Sequence, residues 1–388
     1  MIILSIETSC DETAVSVIEA VGDFPHATYE VLGNSLFSQI DIHREYGGVF
    51  PALAKREHIA TILPMLERAL ADAKLPSGYT PAPTSETVTT ITDILKRENG
   101  LAPLLLEYHT AAGKPPIDMI AVTTGPGLEP ALWVGVNFAK ALSTLWHVPV
   151  VPVDHMEGHI MASIFDGHHL APLAFPALAL LVSGGHTELI LMSDWGHYKK
   201  IGETRDDAVG EAFDKVARLL GLPYPGGPAL SALAAHARSE NLPAFATLPT
   251  PMLHSGDFDF SFSGLKTAVR NAVMDKTLSP DEKAALARDF EDVVVTVLMH
   301  KLTKAALSHQ VESIIVGGGV AANVRLRAAI ETLSHHPDFP RLRTYLPDRA
   351  LSTDNSIMIA LAGHTHSTDA LSPDAFLSER ALGNRSLS

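Results

Sequence analysis

Two short apolar runs that each turn back on themselves constrain this chain more than any other feature. Ile2–Ile6 leads into the polar turn Glu7-Thr8-Ser9-Cys10-Asp11-Glu12-Thr13 and returns as Ala14–Ile18. Ala177–Val182 leads through Ser183-Gly184-Gly185-His186-Thr187 into Glu188–Met192. Strand, small polar turn and strand make a hairpin. One hairpin opening each half predicts a duplicated, two-lobed chain with a cleft between the lobes; the plain alternative is two unrelated surface hairpins. A third element favours the first reading. Ile314-Ile315-Val316 runs through Gly317-Gly318-Gly319 to Asn323 and a helix, the order that brings backbone N–H groups to a nucleotide.

Between these landmarks the pattern predicts a helix from Pro51 to about Lys74, a strand over Ile117–Thr123, and a helix from Pro130 to Trp146 after the turn Gly125-Pro126-Gly127. Downstream, Asp206–Leu220 reads as an amphipathic helix. A tight turn follows at Tyr224–Pro228, then a helix from about Ala229 and a helical pair near Pro280–Ser308. Residues 76–116 look inserted. Their Pro/Ser/Thr-rich start and their length predict disorder, relieved by one short helix over Ile91–Glu98.

The 388 residues carry a net charge of −15, which argues against a generic nucleic-acid binder but allows an enzyme with one local basic patch. The single cysteine, Cys10, rules out an intramolecular disulfide and a multi-cysteine zinc site, as suits a cytoplasmic protein. The N-terminus lacks a basic n-region and reads as a strand. The longest apolar run, near Leu173–Val182, is interrupted by Pro176 and too short for a bilayer, so no membrane role is expected.

The segment Asp154-His155-Met156-Glu157-Gly158-His159 follows the apolar run Val148–Val153. At i and i+4 on a helix, both imidazoles share a face and could reach one metal ion. With 19 histidines, about one such pair is expected by chance, so spacing alone does not decide it. A zinc protease is a poor fit, because its general-base Glu would directly follow the first His, where Met156 stands.

Ordered blocks along the chain carry a resemblance. They include Ile6–Thr13, His43 with Tyr46–Val49, Lys55–His58, Gly125–Gly127, His155–His159, Val182–Thr187, Gly210–Lys215, Tyr224–Pro228, Phe260–Thr267, Gly317–Asn323 and Ser352–Asn355. In these the chain resembles the tRNA N6-adenosine threonylcarbamoyltransferase family, of the actin/Hsp70/sugar-kinase superfamily. The blocks cover nearly everything outside residues 76–116. Ala52 and Lys55 stand where the family usually has an acid and a Ser, and Ser352 replaces a common Cys.

The resemblance implies an α/β, two-lobed actin-like fold of mixed sheets flanked by helices. One lobe would span residues 1–153, with the insertion, and be completed by the C-terminal helix from about 355 to 388. The other would span 154–354 and carry the metal and donor motifs. The implied reaction transfers a threonylcarbamoyl group from threonylcarbamoyl-AMP to N6 of adenosine 37, in tRNAs that read codons beginning with A. One divalent ion per subunit, Fe(II) first and Zn(II) second, would sit on His155, His159 and Asp354. For Asp354 the ordinary alternative is a helix N-cap ahead of Asn355–Ala362.

The donor, or an adenine nucleotide, would be held by Leu181, Val182, Ser183, Gly184, Gly185, Asp214, Gly227 and Asn323. Asp11 and Glu12 are the catalytic candidates, with ordinary turn chemistry as their alternative. Lys55, Arg56, Lys266, Arg270, Arg325 and Arg327 are candidate tRNA-phosphate contacts. Implied partners are tRNA, threonylcarbamoyl-AMP and companion subunits: an inactive paralogue and a small ATPase in bacteria, KEOPS-type subunits otherwise. The rival functions are an ATP-dependent small-molecule kinase of the same superfamily and an inactive scaffold paralogue. A scaffold would have lost the histidine pair.

Overall fold

A computed structural model of the chain describes residues 1–76, 82–334 and 337–387. Contacts divide the chain into two compact units. The first, built from Met1–Asp41, Val49–Ala171 and Asp354–Ser386, contains strands β1 (Ile2–Glu7), β2 (Glu12–Val21), β3 (Thr28–Ser38), β4 (Met119–Gly125) and β5 (Val150–Asp154). Its helices are α2 (Pro51–Ala73), α3 (Ser85–Ile94), α4 (Leu101–Ala112), α5 (Glu129–Trp146), α6 (His155–Ile164), α12 (Ser356–Thr365) and α13 (Pro373–Phe376); the short α1 (Ile40–Arg44) follows β3. Strand order is β3-β2-β1-β4-β5, antiparallel through β1 and parallel beyond it.

The second unit, from Ile42–Gly48 and Pro172–Thr353, contains β6 (Ala177–Val182), β7 (Thr187–Asp194), β8 (His197–Glu203), β9 (Ser313–Gly317) and β10 (Arg343–Tyr345). Its helices are α7 (Val209–Leu219), α8 (Gly226–Ser239), α9 (Ser263–Val273), α10 (Pro280–His309) and α11 (Val324–Leu333). Order β8-β7-β6-β9-β10 repeats the first sheet, again antiparallel on one side of the hairpin strand and parallel on the other. Both expected hairpins form, and each opens its own sheet. Strand β4, with neighbours on both edges, is buried at every residue, which is why its sequence shows no alternation.

The division runs past Val153 to Ala171, because β5 pairs with β4 and α6 packs on α12. Both histidines of the pair therefore lie in the first unit, together with Asp354. Helix α12 is apolar all round and packs against β1, β2, β4 and β5 as well as α6. Gly363 makes this approach possible, since an added Cβ would lie 2.5 Å from that of Ala121.

Three expectations need correction. The supposed helical pair near Pro280 is the single helix α10, started by the reciprocal capping box of Ser279 and Glu282 and free of internal Gly or Pro. The helix expected from Asp206 begins at Val209; Asp206 instead accepts the N–H of Phe262 at 2.8 Å and the hydroxyl of Ser261.

The third correction is the insertion, which is folded over most of its length, although residues 77–81 lie outside the described residues. Thr84 caps α3 by accepting the N–H of Thr87, and Gly100 precedes α4. Ile91, Leu95, Leu101 and Leu105 bury themselves in the first unit's core. Leu105→Ala is expected to cost about 2–4 kcal/mol in urea unfolding. A disordered insertion would leave the midpoint unmoved.

Candidate active site and metal centre

Asp154 ends β5 and caps α6, its Oδ1 accepting the N–H of Met156 at 2.8 Å and more weakly that of Glu157. Burial pushes its carboxyl up to about 6 against the opposing effect of Arg385. The cap sets His155 in the first position of α6 and His159 one turn on. Their rings sit 4.7 Å apart in an edge-to-face arrangement. Asp354 completes the group: its Oδ1 lies 3.4 Å from His155 Nε2 and 3.3 Å from His159 Nε2. One ligand atom from each residue falls within 4.8 Å of the others.

The helix-cap alternative for Asp354 is answered directly. Asn355 is the N-cap of α12, accepting the N–H of Met358 at 3.0 Å, which leaves the Asp354 carboxylate to face the histidines.

Two observations fit this cluster to a cation. His159 Nε2 is buried without a hydrogen bond, its approach to Asp354 being poorly aligned. The surroundings are also rich in acid. Glu7 is fully buried and touches His155, while Asp11 and Glu12 are nearly buried in the adjacent turn. Burial alone would depress His155, but Asp354 and Glu7 outweigh it and hold its imidazole well above the ordinary value. Burial likewise opposes the charge on Asp354, yet the two imidazoles hold its carboxyl below the ordinary range. Glu12 goes the other way, raised by burial and by like charge from Asp11 and Asp354. Two nitrogens and one carboxylate oxygen suit Zn(II) or Fe(II) with positions left open.

The turn holding Asp11 and Glu12 is secured from several sides. Leu128 N–H donates to Ser9 O at 2.7 Å, and Gly127 packs so closely that an added Cβ would lie 2.6 Å from that oxygen. Buried His58 bridges Thr13 Oγ1 at 2.8 Å and Cys10 O at 3.0 Å. Ser38 donates to Glu12 Oε1. Glu157 pairs with His366 at 2.8 Å, so it is occupied in a structural bond and gives no support to protease chemistry.

In the second unit, Leu181 and Val182 are buried at the end of β6, where Leu181 pairs with Gly317 of parallel β9. The Ser183–Gly185 turn and the glycine triplet therefore adjoin, and Gly318 would meet Val182 O if it carried a Cβ. Ser183 N–H donates to His186 O, and its Oγ accepts from Gly185 and His186, so the turn is preformed. Gly184 and Gly185 have open space where a Cβ would project, and Gly227 has nothing nearer than 3.9 Å. None of these three has the left-handed backbone that demands glycine. Folding within the chain does not require glycine at these positions, whereas close approach of a ligand would.

Asp214 accepts the N–H of Gly226 at 2.7 Å, tying α7 to α8. Asn323 caps α11 through Oδ1 and donates its amide to Ser231 at 2.9 Å and to buried Glu291 at 2.7 Å.

Of the basic candidates, Arg325 pairs with Asp292 and Arg327 holds the carbonyls of Ala321 and Pro347, so both have internal roles. Arg56 pairs with its neighbour Glu57. Phe260 and Phe262 are both fully buried in the core. Sequence reasoning missed Glu7 and Glu291. A carboxylate closing an apolar strand was the available sign for Glu7; in the sequence, nothing distinguishes Glu291 from an acid on a helix surface.

The family model for tRNA N6-adenosine threonylcarbamoyltransferase matches residues 30–78 and 100–361. A relative of that name from Polynucleobacter necessarius is 43% identical over 94% of this chain and 91% of its own. One from Burkholderia mallei is 42% identical with the same coverage. The chain belongs to the tRNA N6-adenosine threonylcarbamoyltransferase family. It is an acyltransferase that modifies N6 of adenosine in tRNA.

Among solved structures, full-length HypF in a phosphate- and nucleotide-bound form aligns with TM-score 0.53 at 11% identity. The alignment covers 95% of this chain and 46% of that one, and shows the fold alone. The fold is of the actin-like α/β class, with one mixed sheet in each unit. Among the described residues no helix is long and apolar enough to cross a membrane.

Proposed function

We propose that the protein transfers the threonylcarbamoyl group of threonylcarbamoyl-AMP to N6 of adenosine 37, in tRNAs that read codons beginning with A. The observation that carries this reading is the group of two buried histidines, His155 and His159, with half-buried Asp354, holding an unbonded imidazole nitrogen inside an acidic setting. In the reaction the exocyclic amine attacks the carbamoyl carbon. The bond from that carbon to the phosphate oxygen breaks, AMP leaves, and the amine gives up one proton.

A divalent ion held by His155, His159 and Asp354, Fe(II) before Zn(II), would supply Lewis-acid stabilisation of charge on donor oxygens. The chain's own groups do the rest. The preformed Ser183–Gly185 turn and the bare Gly227 offer backbone to the donor's phosphate and ribose. Leu181 and Val182 form the apolar base of that turn. Asp214 and Asn323, each already held by backbone bonds, present fixed oxygens to hydroxyl or amine donors. Asp11 and Glu12 are the groups we assign to receiving the amine proton.

An acidic chain in which several of the basic candidates are paired internally needs help to hold tRNA, so companion subunits are part of the proposal, as is a cytoplasmic setting. The purified protein, given threonylcarbamoyl-AMP, companion subunits and unmodified tRNA, is expected to yield threonylcarbamoyladenosine in digested tRNA by mass spectrometry. Transfer of the ATP γ-phosphate to a small molecule, with no modified nucleoside, would favour the kinase reading instead.

A further inference from the structure

Glu7 is the last residue of β1, is fully buried, and accepts a hydrogen bond at each carboxylate oxygen. Oε1 accepts the N–H of Ser9 at 2.5 Å; Oε2 accepts the hydroxyl of Thr123 at 2.5 Å and faces His155 Nδ1 at 3.1 Å. Two donors whose direction is fixed, the Ser9 N–H and the Thr123 hydroxyl, take one carboxylate oxygen each, so Glu7 meets His155 as an acceptor. A group that can only accept requires the proton of His155 to sit on Nδ1. Ser9 Oγ, 3.2 Å from the same nitrogen, is a hydroxyl and adapts to either state.

We propose that Glu7 is a positioning residue that keeps the His155 proton on Nδ1, so that Nε2, the atom facing Asp354, is left as the ligand atom. The inference rests on the metal reading above and extends it to a residue that touches neither ion nor substrate. The opposite tautomer would place a proton on Nε2 and could not ligate from that side. A buried anion behind the ring also raises the basicity of the ligating nitrogen. Thr123 and the Ser9 amide hold the carboxylate itself in place, which ties the ring to β4 and to the turn after β1.

The test uses the full chain and Zn(II) as the probe, with affinity measured by competition with a chromophoric chelator. Glu7→Gln is expected to weaken Zn(II) binding about 10- to 100-fold, and His155→Ala at least as much. In the zinc-loaded wild type, nitrogen-resolved NMR should show the His155 proton on Nδ1, with that signal shifted or lost in Glu7→Gln. Wild-type affinity in Glu7→Gln beside a weakened His155→Ala would overturn the positioning role and leave the metal site standing. Wild-type affinity in His155→Ala would remove the metal reading and this proposal with it. A proton found on Nε2 would also overturn it. Should Glu7→Gln fail to melt cooperatively, Glu7→Asp decides, since it keeps the charge but withdraws it by one methylene. Weaker binding supports the role, and unchanged binding ends it.

Discussion

Replacing Asp354 or His159 by Ala is expected to reduce transfer to tRNA by on the order of 10²-fold or more, together with metal content, while the fold survives. The size follows from the ligand count. Two remaining ligands compete poorly with water for a catalytic ion, so loss of one ligand removes the ion. Survival of the fold follows from the local bonding. Asn355, not Asp354, caps α12, and Asp154, not either histidine, caps α6. Asp354→Ala also removes an acid whose charge raises the carboxyl of Glu12, which eases the buried turn. Metal content, melting and threonylcarbamoyladenosine yield should be measured side by side. Full activity in a metal-free variant would end the idea, and unfolding would recast the group as structural.

Glu291→Ala is expected to destabilise the second unit by roughly 3 kcal/mol, because it removes the buried anion that Arg238 and the Asn323 amide share. Glu291 is buried on α10 and binds Arg238 Nη1 at 2.6 Å and the Asn323 amide at 2.7 Å. Arg238 also pairs with Asp292, which in turn receives Arg325, so one deletion loosens four side chains. The same change removes one of the bonds that fix the Asn323 amide, and KM for the donor should rise by more than kcat falls. Glu291→Gln keeps an acceptor for Asn323 and should recover most of the donor affinity while remaining less stable. Urea unfolding and steady-state kinetics on both variants check this. Equal loss in both would mean that charge, and not the bond to Asn323, is what matters.

Much of the site was legible along the chain because its pieces are local. A histidine pair at i and i+4 directly after a strand and glycines directly after strands depend on neighbours within a few residues. The insertion was misread for the same reason. Its first residues are rich in Pro, Ser and Thr, and that local signal masked Ile91, Leu95, Leu101 and Leu105, whose burial depends on α2 and α5. Helix α10 was read as two because charged residues interrupt its apolar stripe. Glu291 and Lys301 are buried there through bonds to residues distant in the chain.

The sequence by itself determined the duplicated hairpins, the family and, through the family resemblance, the three residues gathered around the candidate ion. Those follow from periodicity and from ordered motifs. What only the tertiary structure decided is which atoms meet. Helix α12 packs back on the first sheet and delivers Asp354 to α6 across nearly two hundred residues of chain. The end of β1 brings Glu7 behind His155, and α10 brings Glu291 beside Asn323. Such contacts are set by packing between elements far apart in sequence, and short-range pattern carries no information about that packing.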